Sequence, residues 1–365
     1  MFKGFREKAD VIVLVIMSVL IVLGLAVLAS ASSSISLEHV GNPYFYLKRQ
    51  FIIMITAGLA GFFAGRFTPI KWLKKLSFPL LILNLGLLAL VFTPLGGNFG
   101  TASRWIEIGG FPLQPSEFLK VTFILYLAAW MTSKGKNRKD LSEGLLPFLL
   151  ICGLIGGLLI AQPSTSILVI LLFSAGIVYF MGGLKFSFIA VLSGIAAIAL
   201  GVIIMATPYR LARFTTFFNP NADPQNNGYH LSQSLMTIGS GGAFGVGYGK
   251  SVLKNHLPEP MNDTVFAIIA EEFGFVGSIF FISLYFLLVM AGFLGSLQTR
   301  GNFGKLMLVG FSTVIGIQTF IHIASVSGLM PMTGMPLPLI SYGGTGIVTF
   351  MTIGGLMINI LKNNA

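Results

Sequence analysis

A single aspartate stands directly before one of the apolar segments of this chain. Asp263 ends the stretch HLPEPMND and precedes the run TVFAIIAEEFG. Aspartate is a favoured N-cap because it accepts hydrogen bonds from the free N–H groups of a helix start. A carboxylate at such a place can also act as a general base, and both interpretations of Asp263 stay open. Glu259, four residues earlier, is either part of the same site or an exposed loop acid.

A second group of residues suited to chemistry is basic. These residues are Arg104, Arg210, Arg213, Lys250 and Lys254. Their side chains bind phosphate through charge-assisted hydrogen bonds, so an anionic partner, with phosphate as the natural candidate, would explain them. Anchoring to lipid headgroups is the alternative, and it is the interpretation that we prefer for Lys48 and Arg49.

Four further charged residues fall at the start of or inside apolar segments. Glu117 and Lys120 are three residues apart and share one helix face, so they form either a local ion pair or a site in which Lys120 faces a substrate. Glu271 and Glu272 follow Asp263 by about 12 to 14 Å of helix. Carboxylates at such depth are costly, which indicates a function, a structural ion pair or a protonated carboxyl.

The composition shows which elements must position these residues. The chain has 365 residues, of which 55% are hydrophobic and only 10% are charged, and its mean hydropathy is +0.86. Soluble proteins carry about 25% charged residues. The apolar runs have the length of membrane-spanning helices, roughly 17 to 25 residues, rather than the alternating pattern of an outer-membrane barrel. The sequence therefore predicts an all-α polytopic membrane protein and excludes soluble enzymes, fibres and disordered chains.

Dividing the apolar runs at glycines, prolines and charges predicts about ten spans within a single membrane-embedded domain, 1–365. The predicted spans are 10–30, 51–67, 76–93, 115–132, 144–161, 166–182, 187–206, 264–294, 305–325 and 339–361. The first apolar run is longer than the core of a signal peptide, so we expect it to be retained.

The distribution of basic residues predicts the orientation. Ten spans put both termini on one side, and if that side is cytoplasmic it carries 15 of the 23 basic residues, namely Lys3, Arg6, Lys8, Arg66, Lys71, Lys74, Lys75, Lys134, Lys136, Arg138, Lys139, Lys185, Arg300, Lys305 and Lys362. Seven basic residues lie outside, and Lys120 lies in a helix. The positive-inside rule thus accounts for most of the net charge of +11, and no nucleic-acid partner is expected.

One long connection, 208–264, separates spans seven and eight and lies outside in this topology. Long structureless connections are usually functional or disordered, and the aromatic, basic and acidic residues of this one favour function. Its segment GSGGAFGVGYGKS, from Gly239 to Ser251, lacks the glycine that a phosphate-binding loop requires at Phe244. What is left is a flexible backbone able to approach a ligand, with Lys250 beside it, or a solvated turn.

The sequence contains no metal-binding signature. Its four histidines have no metal-ligand spacing, and Cys152 is the only cysteine, so no disulfide or thiolate cluster is expected. A divalent cation, Mg²⁺ or Mn²⁺, held by Asp263 is the one cofactor that we consider.

Four ordered motifs carry a resemblance to a known family. They are GTASRWIEIGGFPLQPSEFLK, the long segment from Tyr209 to Ser251, LPEPMNDTVFAIIAEEFGFVG and SGLMPMTGMPLPLISYGGTG. Along essentially its whole length the chain resembles the SEDS (shape, elongation, division and sporulation) family of FtsW- and RodA-type proteins. The segments PYFYLKRQ and SASSS favour the FtsW branch, and hence cell division over elongation.

The resemblance implies a peptidoglycan glycosyltransferase that polymerises lipid II and works with a class B penicillin-binding protein among other division or elongation proteins. It implies a location in the bacterial cytoplasmic membrane. Asp263 matches the essential aspartate of the family and Glu259 the nearby glutamate, while Arg104, Glu117 and Lys120 match its RW…QPSEF..K motif. Two positions depart from the pattern, because Ser164 stands where QPD.GT has its aspartate and His322 where asparagine is common.

The residues fit this chemistry. Asp263 would deprotonate the acceptor 4-hydroxyl or hold a cation that helps, and Arg104, Lys120, Arg210, Arg213 and Lys250 would stabilise the departing pyrophosphate. Two alternatives stay open: a lipid II flippase with Glu271, Glu272 and Lys120 as gate residues, and a scaffold without catalytic activity.

Overall fold

A computed structural model of the chain describes residues 8–94, 96–97, 104–109, 111–133, 141–183, 194, 197–199, 201–219 and 227–363. Seven basic residues that the topology prediction placed inside fall outside these ranges: Lys3, Arg6, Lys134, Lys136, Arg138, Lys139 and Lys185. About half of the predicted seventh span also lies outside the described residues.

The described residues form a helical bundle with one small sheet. In chain order the elements are α1 (Ala9–Val40), α2 (Phe45–Phe67, with a π-helical turn at Met54–Gly58), α3 (Ile70–Leu90), β1 (Gly96–Gly97), β2 (Trp105–Ile108), β3 (Phe111–Leu113), α4 (Pro115–Met131), α5 (Leu146–Ala161, preceded by a π-helical turn at Leu141–Leu145), α6 (Thr165–Met181), α7 (Pro208–Phe218), α8 (Asn227–Ser240), a 3₁₀ turn (Leu253–His256), α9 (Val265–Ser296), α10 (Asn302–Val326) and α11 (Gly344–Asn363). Helices α9, α10 and α11 pack on α1, α4 and α6 to form the core.

Nine of the ten predicted spans coincide with helices, which confirms the prediction of a polytopic helical membrane protein. Among the described residues, seven helices are long and apolar enough to cross a membrane, or eight if Ala197–Met205 and Arg210–Phe218 form one broken span. Helices α4 and α6 have 17 residues each. Both are at the short end of the length that a span requires.

Four predicted helix ends are wrong by five residues or more: α1 ends at Val40 rather than at 30, α2 begins at Phe45 rather than at 51, α3 begins at Ile70 rather than at 76, and α11 begins at Gly344 rather than at 339. Helix α1 continues past residue 30 to Val40, because its serines are tolerated in the helix and the left-handed Gly41 (φ 70°) is the first residue that closes it. Helix α11 begins at Gly344 rather than at 339, because Pro336, Pro338 and two glycines keep the preceding segment out of the helical conformation.

The helical bundle also contains three short strands, which the sequence did not predict and which form an antiparallel sheet before α4. Strand β2 lies between β1 and β3, with Ile106 opposite Leu113 and Ile108 opposite Phe111. These strands are too short for an alternation of apolar and polar residues to be recognised in the sequence. The sheet fixes Arg104, the residue just before β2, relative to the start of α4.

The long connection is also not structureless, because it contains α7, α8 and the 3₁₀ turn. Its glycine-rich segment packs backbone to backbone on α9 instead of opening toward a ligand. The amides of Val246 and Gly247 donate to the carbonyls of Glu271 (2.9 Å) and Glu272 (3.0 Å). A Cβ at Gly245 (φ +80°) would lie 2.2 Å from the Glu272 carbonyl oxygen, so only glycine fits. The glycines therefore serve helix–loop packing.

The Glu271 side chain holds this same segment, and the Glu272 side chain binds α1. The Glu271 carboxylate accepts hydrogen bonds from the Ser251 hydroxyl and from two backbone amides that follow it. The Glu272 carboxylate accepts one from the Ser30 hydroxyl of α1, and the buried Lys254 ammonium donates to the Ser30 carbonyl at 2.9 Å. These contacts support a role for Glu271 and Glu272 in holding the fold together rather than in a functional site.

Candidate active site

A cavity of about 920 Å³ lies between α2, the sheet, the starts of α4 and α6, α7 and the segment 330–343 before α11. Among the described residues, its charged lining consists of four arginines and two carboxylates: Arg49, Arg104, Arg210, Arg213, Glu117 and Asp263. The formal charge of this lining is positive. Much of the remaining wall is apolar, which raises the strength of each electrostatic interaction inside.

Asp263 lies at the cavity wall but does not cap α9. The N-cap is Thr264, and no side-chain hydrogen bond caps this helix, so the capping interpretation of Asp263 is wrong by one residue. The Asp263 amide instead donates to the Glu259 carbonyl at 3.1 Å, which closes the turn ahead of the helix. This turn leaves the carboxylate half-buried and facing the cavity.

A left-handed glycine lets Asp263 and Arg213 come together. A Cβ at Gly334 (φ +65°) would lie 3.1 Å from Asp263 Oδ2 and 4.0 Å from Arg213 Nη1. The carboxylate and the guanidinium therefore both lie beside the backbone of Gly334, which has no side chain to separate them. Arg213 also donates to the Met332 carbonyl at 3.2 Å, which fixes α7 on the segment before α11.

The surroundings of Asp263 raise the pKa of its carboxyl from 3.8 to about 6. Burial is the largest cause, and the negative charge of Glu259 adds to it, while Arg213 and Arg104 act in the opposite direction. A carboxylate with this pKa is a stronger base than ordinary aspartate and is still mostly ionised at pH 7. Both properties suit a general base near neutral pH.

Two more of the predicted arginines are anchored on main-chain oxygens. Arg104 donates from Nε to the Gln162 carbonyl (3.1 Å) and from Nη2 to the Pro163 carbonyl (2.6 Å), at the turn between α5 and α6. Arg210 donates to the Ile160 carbonyl at 3.4 Å and to the Thr207 hydroxyl at 3.0 Å. The turn held by Arg104 includes the departure from the family pattern at Ser164, whose hydroxyl donates to the Gln162 carbonyl.

Lys120 does not face the cavity, although Glu117 does. Its ammonium is fully buried and lies 2.7 Å from Glu117 Oε1 and 2.6 Å from Gln318 Oε1. The ring of Phe350 covers it, with the ring centroid 5.2 Å from Nζ. The structure thus supports the local ion pair and corrects the alternative in which Lys120 contacts a substrate.

Lys250 and Glu259 do not line the cavity either. Lys250 is exposed on the glycine-rich segment, away from the cavity-lining residues. Glu259 is exposed as well, and its Oε2 accepts a hydrogen bond from Asn262 Nδ2 at 3.0 Å. Its influence on Asp263 is electrostatic. The structure therefore brings together five of the predicted site residues: Arg104, Glu117, Arg210, Arg213 and Asp263.

The sequence interpretation missed Arg49 and Tyr342, which line the cavity. From the sequence, Arg49 fits a headgroup anchor because it follows Lys48 at the start of a span. Its guanidinium lies 5.8 Å from the ring centroid of Phe111 and is hydrogen-bonded to the Tyr342 hydroxyl. Burial raises the pKa of this tyrosine. No local pattern distinguishes a cavity arginine from an anchoring one; only the position of β3 does so.

Within the described ranges, no three histidine, cysteine or acidic side chains converge to hold a metal ion. Magnesium is commonly bound by one or two carboxylates together with substrate phosphates. Asp263 is the cavity residue that fits such a role, and the divalent cation considered from the sequence is therefore a proposal that depends on bound substrate.

The bundle and its cavity define a class: a multi-pass helical membrane protein with a cationic, partly apolar cavity and one raised-pKa carboxylate. The sequence profile of a family described as "Cell cycle protein", named for FtsW, RodA and SpoVE, matches residues 10–365. The chain belongs to this family.

Its relatives match nearly end to end. The chain is 32% identical to the probable peptidoglycan glycosyltransferase FtsW of Geobacter sp. (strain M18), covering 97% of both chains. It is 38% identical to a protein of the same name from Thioalkalivibrio sulfidiphilus (93% of this chain, 86% of the relative) and 32% identical to the stage V sporulation protein E of Bacillus subtilis (98% of each chain).

Solved structures agree with the fold. A chain of a peptidoglycan synthase complex, solved to explain how polymerization and crosslinking are coordinated, superposes with a TM-score of 0.79 at 27% identity, over 96% of this chain and 97% of that one. The rod shape determining protein RodA of Thermus thermophilus superposes with a TM-score of 0.69 at 28% identity, over 96% and 94%.

Proposed function

We propose that this protein is a peptidoglycan glycosyltransferase that polymerises lipid II at the outer face of the bacterial cytoplasmic membrane, in cell division. The observation that carries the proposal is the cavity, in which one carboxylate with a pKa of about 6 faces several arginines in an otherwise apolar wall. The names of the relatives, probable peptidoglycan glycosyltransferase FtsW, support the same activity.

In the proposed reaction Asp263 is the general base. Its carboxylate takes the proton of the acceptor 4-hydroxyl, and that oxygen attacks the anomeric carbon of the donor sugar. The bond from this carbon to the undecaprenyl pyrophosphate oxygen breaks, and the pyrophosphate leaves with the electron pair. Pyrophosphate is a stable anion, so no general acid is needed, and a single carboxylate suffices where glycosidases use two.

Arg104, Arg210 and Arg213 would bind the pyrophosphate. Main-chain and hydroxyl acceptors already hold their guanidinium groups, so little reorganisation is required when charge develops on the leaving group. Arg49 on the opposite wall would add to the positive field. Hydrogen bonds to charged groups contribute about 1.5–3 kcal/mol each.

The apolar part of the cavity would receive the lipid. Ile52, Thr56 and Ala57 of α2 line the cavity and are exposed. A cavity wall that is exposed on a membrane-spanning helix opens sideways toward the acyl chains. The undecaprenyl tail would therefore pass α2 while the sugar and pyrophosphate stay at the arginines.

The proposed orientation places both termini in the cytoplasm. Helix α4 starts at the cavity and ends roughly 25 Å away. At its far end, Lys74 donates to the Thr132 carbonyl at 3.1 Å and lies 5.8 Å from the Phe303 ring centroid. Lys74 and its basic neighbours thus lie opposite the cavity, which supports a cytoplasmic position for them under the positive-inside rule.

A class B penicillin-binding protein is the proposed partner, together with other division proteins. The similar chain solved within a peptidoglycan synthase complex supports such a partner. The transport alternative has less support than the sequence suggested, because Glu271, Glu272 and Lys120, its candidate gate residues, are held by structural partners.

The test is to supply lipid II in liposomes to the purified protein with its partner and to measure both glycan polymer and lipid movement. Asp263→Asn is the key variant, and Glu38→Gln is its matched control, because it makes the same charge change at an exposed site outside the cavity. Polymer from wild type and the control, but not from Asp263→Asn, supports the proposal. Lipid movement without polymer would refute it in favour of transport. An EDTA series, followed by added Mg²⁺ or Mn²⁺, tests the proposed cation.

A further inference from the structure

One oxygen of the Glu117 carboxylate is left without a partner at the cavity wall. Glu117 is 2% exposed. Its Oε1 accepts from Lys120, whereas Oε2 is buried and has no hydrogen-bond partner among the described residues. A Cβ at Gly346, another cavity-lining residue, would lie 3.7 Å from Oε2. A buried acceptor without a donor is costly and calls for a specific explanation.

The neighbours of Glu117 fix the direction of this oxygen. The Lys120 ammonium is held by Glu117 Oε1, by Gln318 Oε1 and by the Phe350 ring. Gln318 in turn donates from Nε2 to the Pro336 carbonyl at 2.9 Å, on the segment that lines the cavity. The carboxylate is therefore anchored on one side only, and Oε2 stays at the cavity.

The ion pair also determines which ligand group this oxygen can bind. Lys120 cancels the charge of Glu117, so the pair presents an acceptor without net charge. A pyrophosphate esterified at both ends is fully ionised at neutral pH and offers acceptors only, so it cannot donate to this oxygen. A cationic group would have to enter a cavity lined by four arginines. A neutral donor, a hydroxyl or an amide N–H, satisfies both conditions.

We propose that Glu117 Oε2 forms a subsite that accepts a hydrogen bond from a hydroxyl or amide N–H of the lipid-linked sugar, with Lys120 and Gln318 as positioning residues. This inference rests on the proposed function and adds to it a recognition site for a neutral donor. The subsite distinguishes the amide- and hydroxyl-bearing saccharide from a bare lipid pyrophosphate, which the arginines alone would bind.

Gly346→Ala is the sharpest variant for this subsite. Beyond the glycine's own helix turn and chain neighbours, Glu117 Oε2 is the one heavy atom of the described residues within 4 Å of the added methyl, and the position is helical, so the protein's own packing is preserved. The methyl fills the space beside Oε2 through which a donor approaches. Gly157→Ala is the matched control, an exposed helical position in α5 with nothing within 4 Å. Glu117→Gln is less suitable because it leaves the buried ammonium without its counter-ion.

The experiment measures steady-state polymerisation and equilibrium binding of lipid II. We expect Gly346→Ala to raise KM and the dissociation constant roughly tenfold with kcat nearly unchanged, as loss of one hydrogen bond to a carboxylate predicts, and Gly157→Ala to match wild type. Gln318→Met should give the same KM increase without a change in the pH profile. Equal KM and binding for Gly346→Ala and Gly157→Ala would overturn the subsite.

Lipid II analogues with single hydroxyl or amide groups methylated identify the donor. For the analogue whose methylated group is the donor, we expect weaker binding than lipid II to wild type but no weaker binding than lipid II to Gly346→Ala. If every analogue loses equal affinity for both proteins, the proposal is overturned. If wild type makes no polymer, the proposed function fails, and the binding comparison still tests the subsite by itself.

Discussion

Glu259→Gln is expected to shift the acid limb of the pH–rate profile to lower pH. Asp263 must be ionised to accept a proton, so activity should fall as the pH is lowered through the pKa of its carboxyl, about 6. At pH 7 about nine-tenths of the carboxyl is ionised, and at pH 5 about one-tenth, so kcat/KM should fall roughly tenfold between these values. An aspartate at its ordinary pKa would lose less than a tenth of its activity over the same range.

The size of the shift follows from the position of Glu259. Its negative charge contributes to the raised pKa of Asp263, so removing that charge lowers the pKa. Glu259 is exposed, so its field is screened by water, where two charges about 4 Å apart interact by about 1 kcal/mol. That energy corresponds to about 0.7 pH unit. A shift of about half a unit is therefore expected.

The assay is lipid II polymerisation between pH 4.5 and 8, measured at low substrate so that the rate reports kcat/KM. Glu38→Gln serves again as the control and should keep the wild-type midpoint. A wild-type profile that is flat between pH 5 and 7, or a midpoint that moves upward in Glu259→Gln, would refute the reasoning about Asp263.

Three further outcomes are expected from stability and packing. Asp263→Asn should stabilise the fold by about 1–3 kcal/mol at pH 7. The folded-state pKa of Asp263 is raised, so ionisation of this carboxyl lowers the stability of the wild type as the pH rises from 3.8 to 6. In thermal unfolding, the difference between the two proteins should disappear below pH 4. Lys120→Met should lower stability by about 3–5 kcal/mol, since it leaves Glu117 buried without its cation, and an unchanged melting temperature would contradict the ion pair. Gly245→Ala should destabilise the loop packed on α9, detectable as faster proteolysis of the 241–256 segment, while Gly249→Ala, which meets no atom within 4 Å but has the same left-handed backbone, controls for strain.

Most of the bundle could be predicted from the sequence because each span needs a long apolar run, and such runs are local. The helix ends were less predictable. The end of α1 is hard to predict because it depends on whether its serines are buried against other helices or exposed to water. Tertiary contacts, not the local sequence, decide this. The small sheet escaped prediction because its strands have two to four residues and little alternation.

The candidate site divides in the same way. Asp263 and three arginines, Arg104, Arg210 and Arg213, could be predicted as site residues because charged residues are rare in this chain and these four lie near helix ends. The roles of Lys120 and Lys250 could not be read from spacing, since a three-residue separation from Glu117 fits both an ion pair and a substrate contact. Arg49 escapes prediction because it follows Lys48 at the start of a span, where a basic residue equally fits headgroup anchoring.

The most direct test is a single-turnover measurement with lipid II already bound to Asp263→Asn at pH 7. The asparagine keeps the shape of the side chain, so we predict a dissociation constant within a fewfold of wild type and a polymerisation rate lower by roughly 10²–10⁴, the range that general base catalysis contributes. A rate within tenfold of wild type at equal binding would contradict the claim that this cavity performs the transfer with Asp263 as its base.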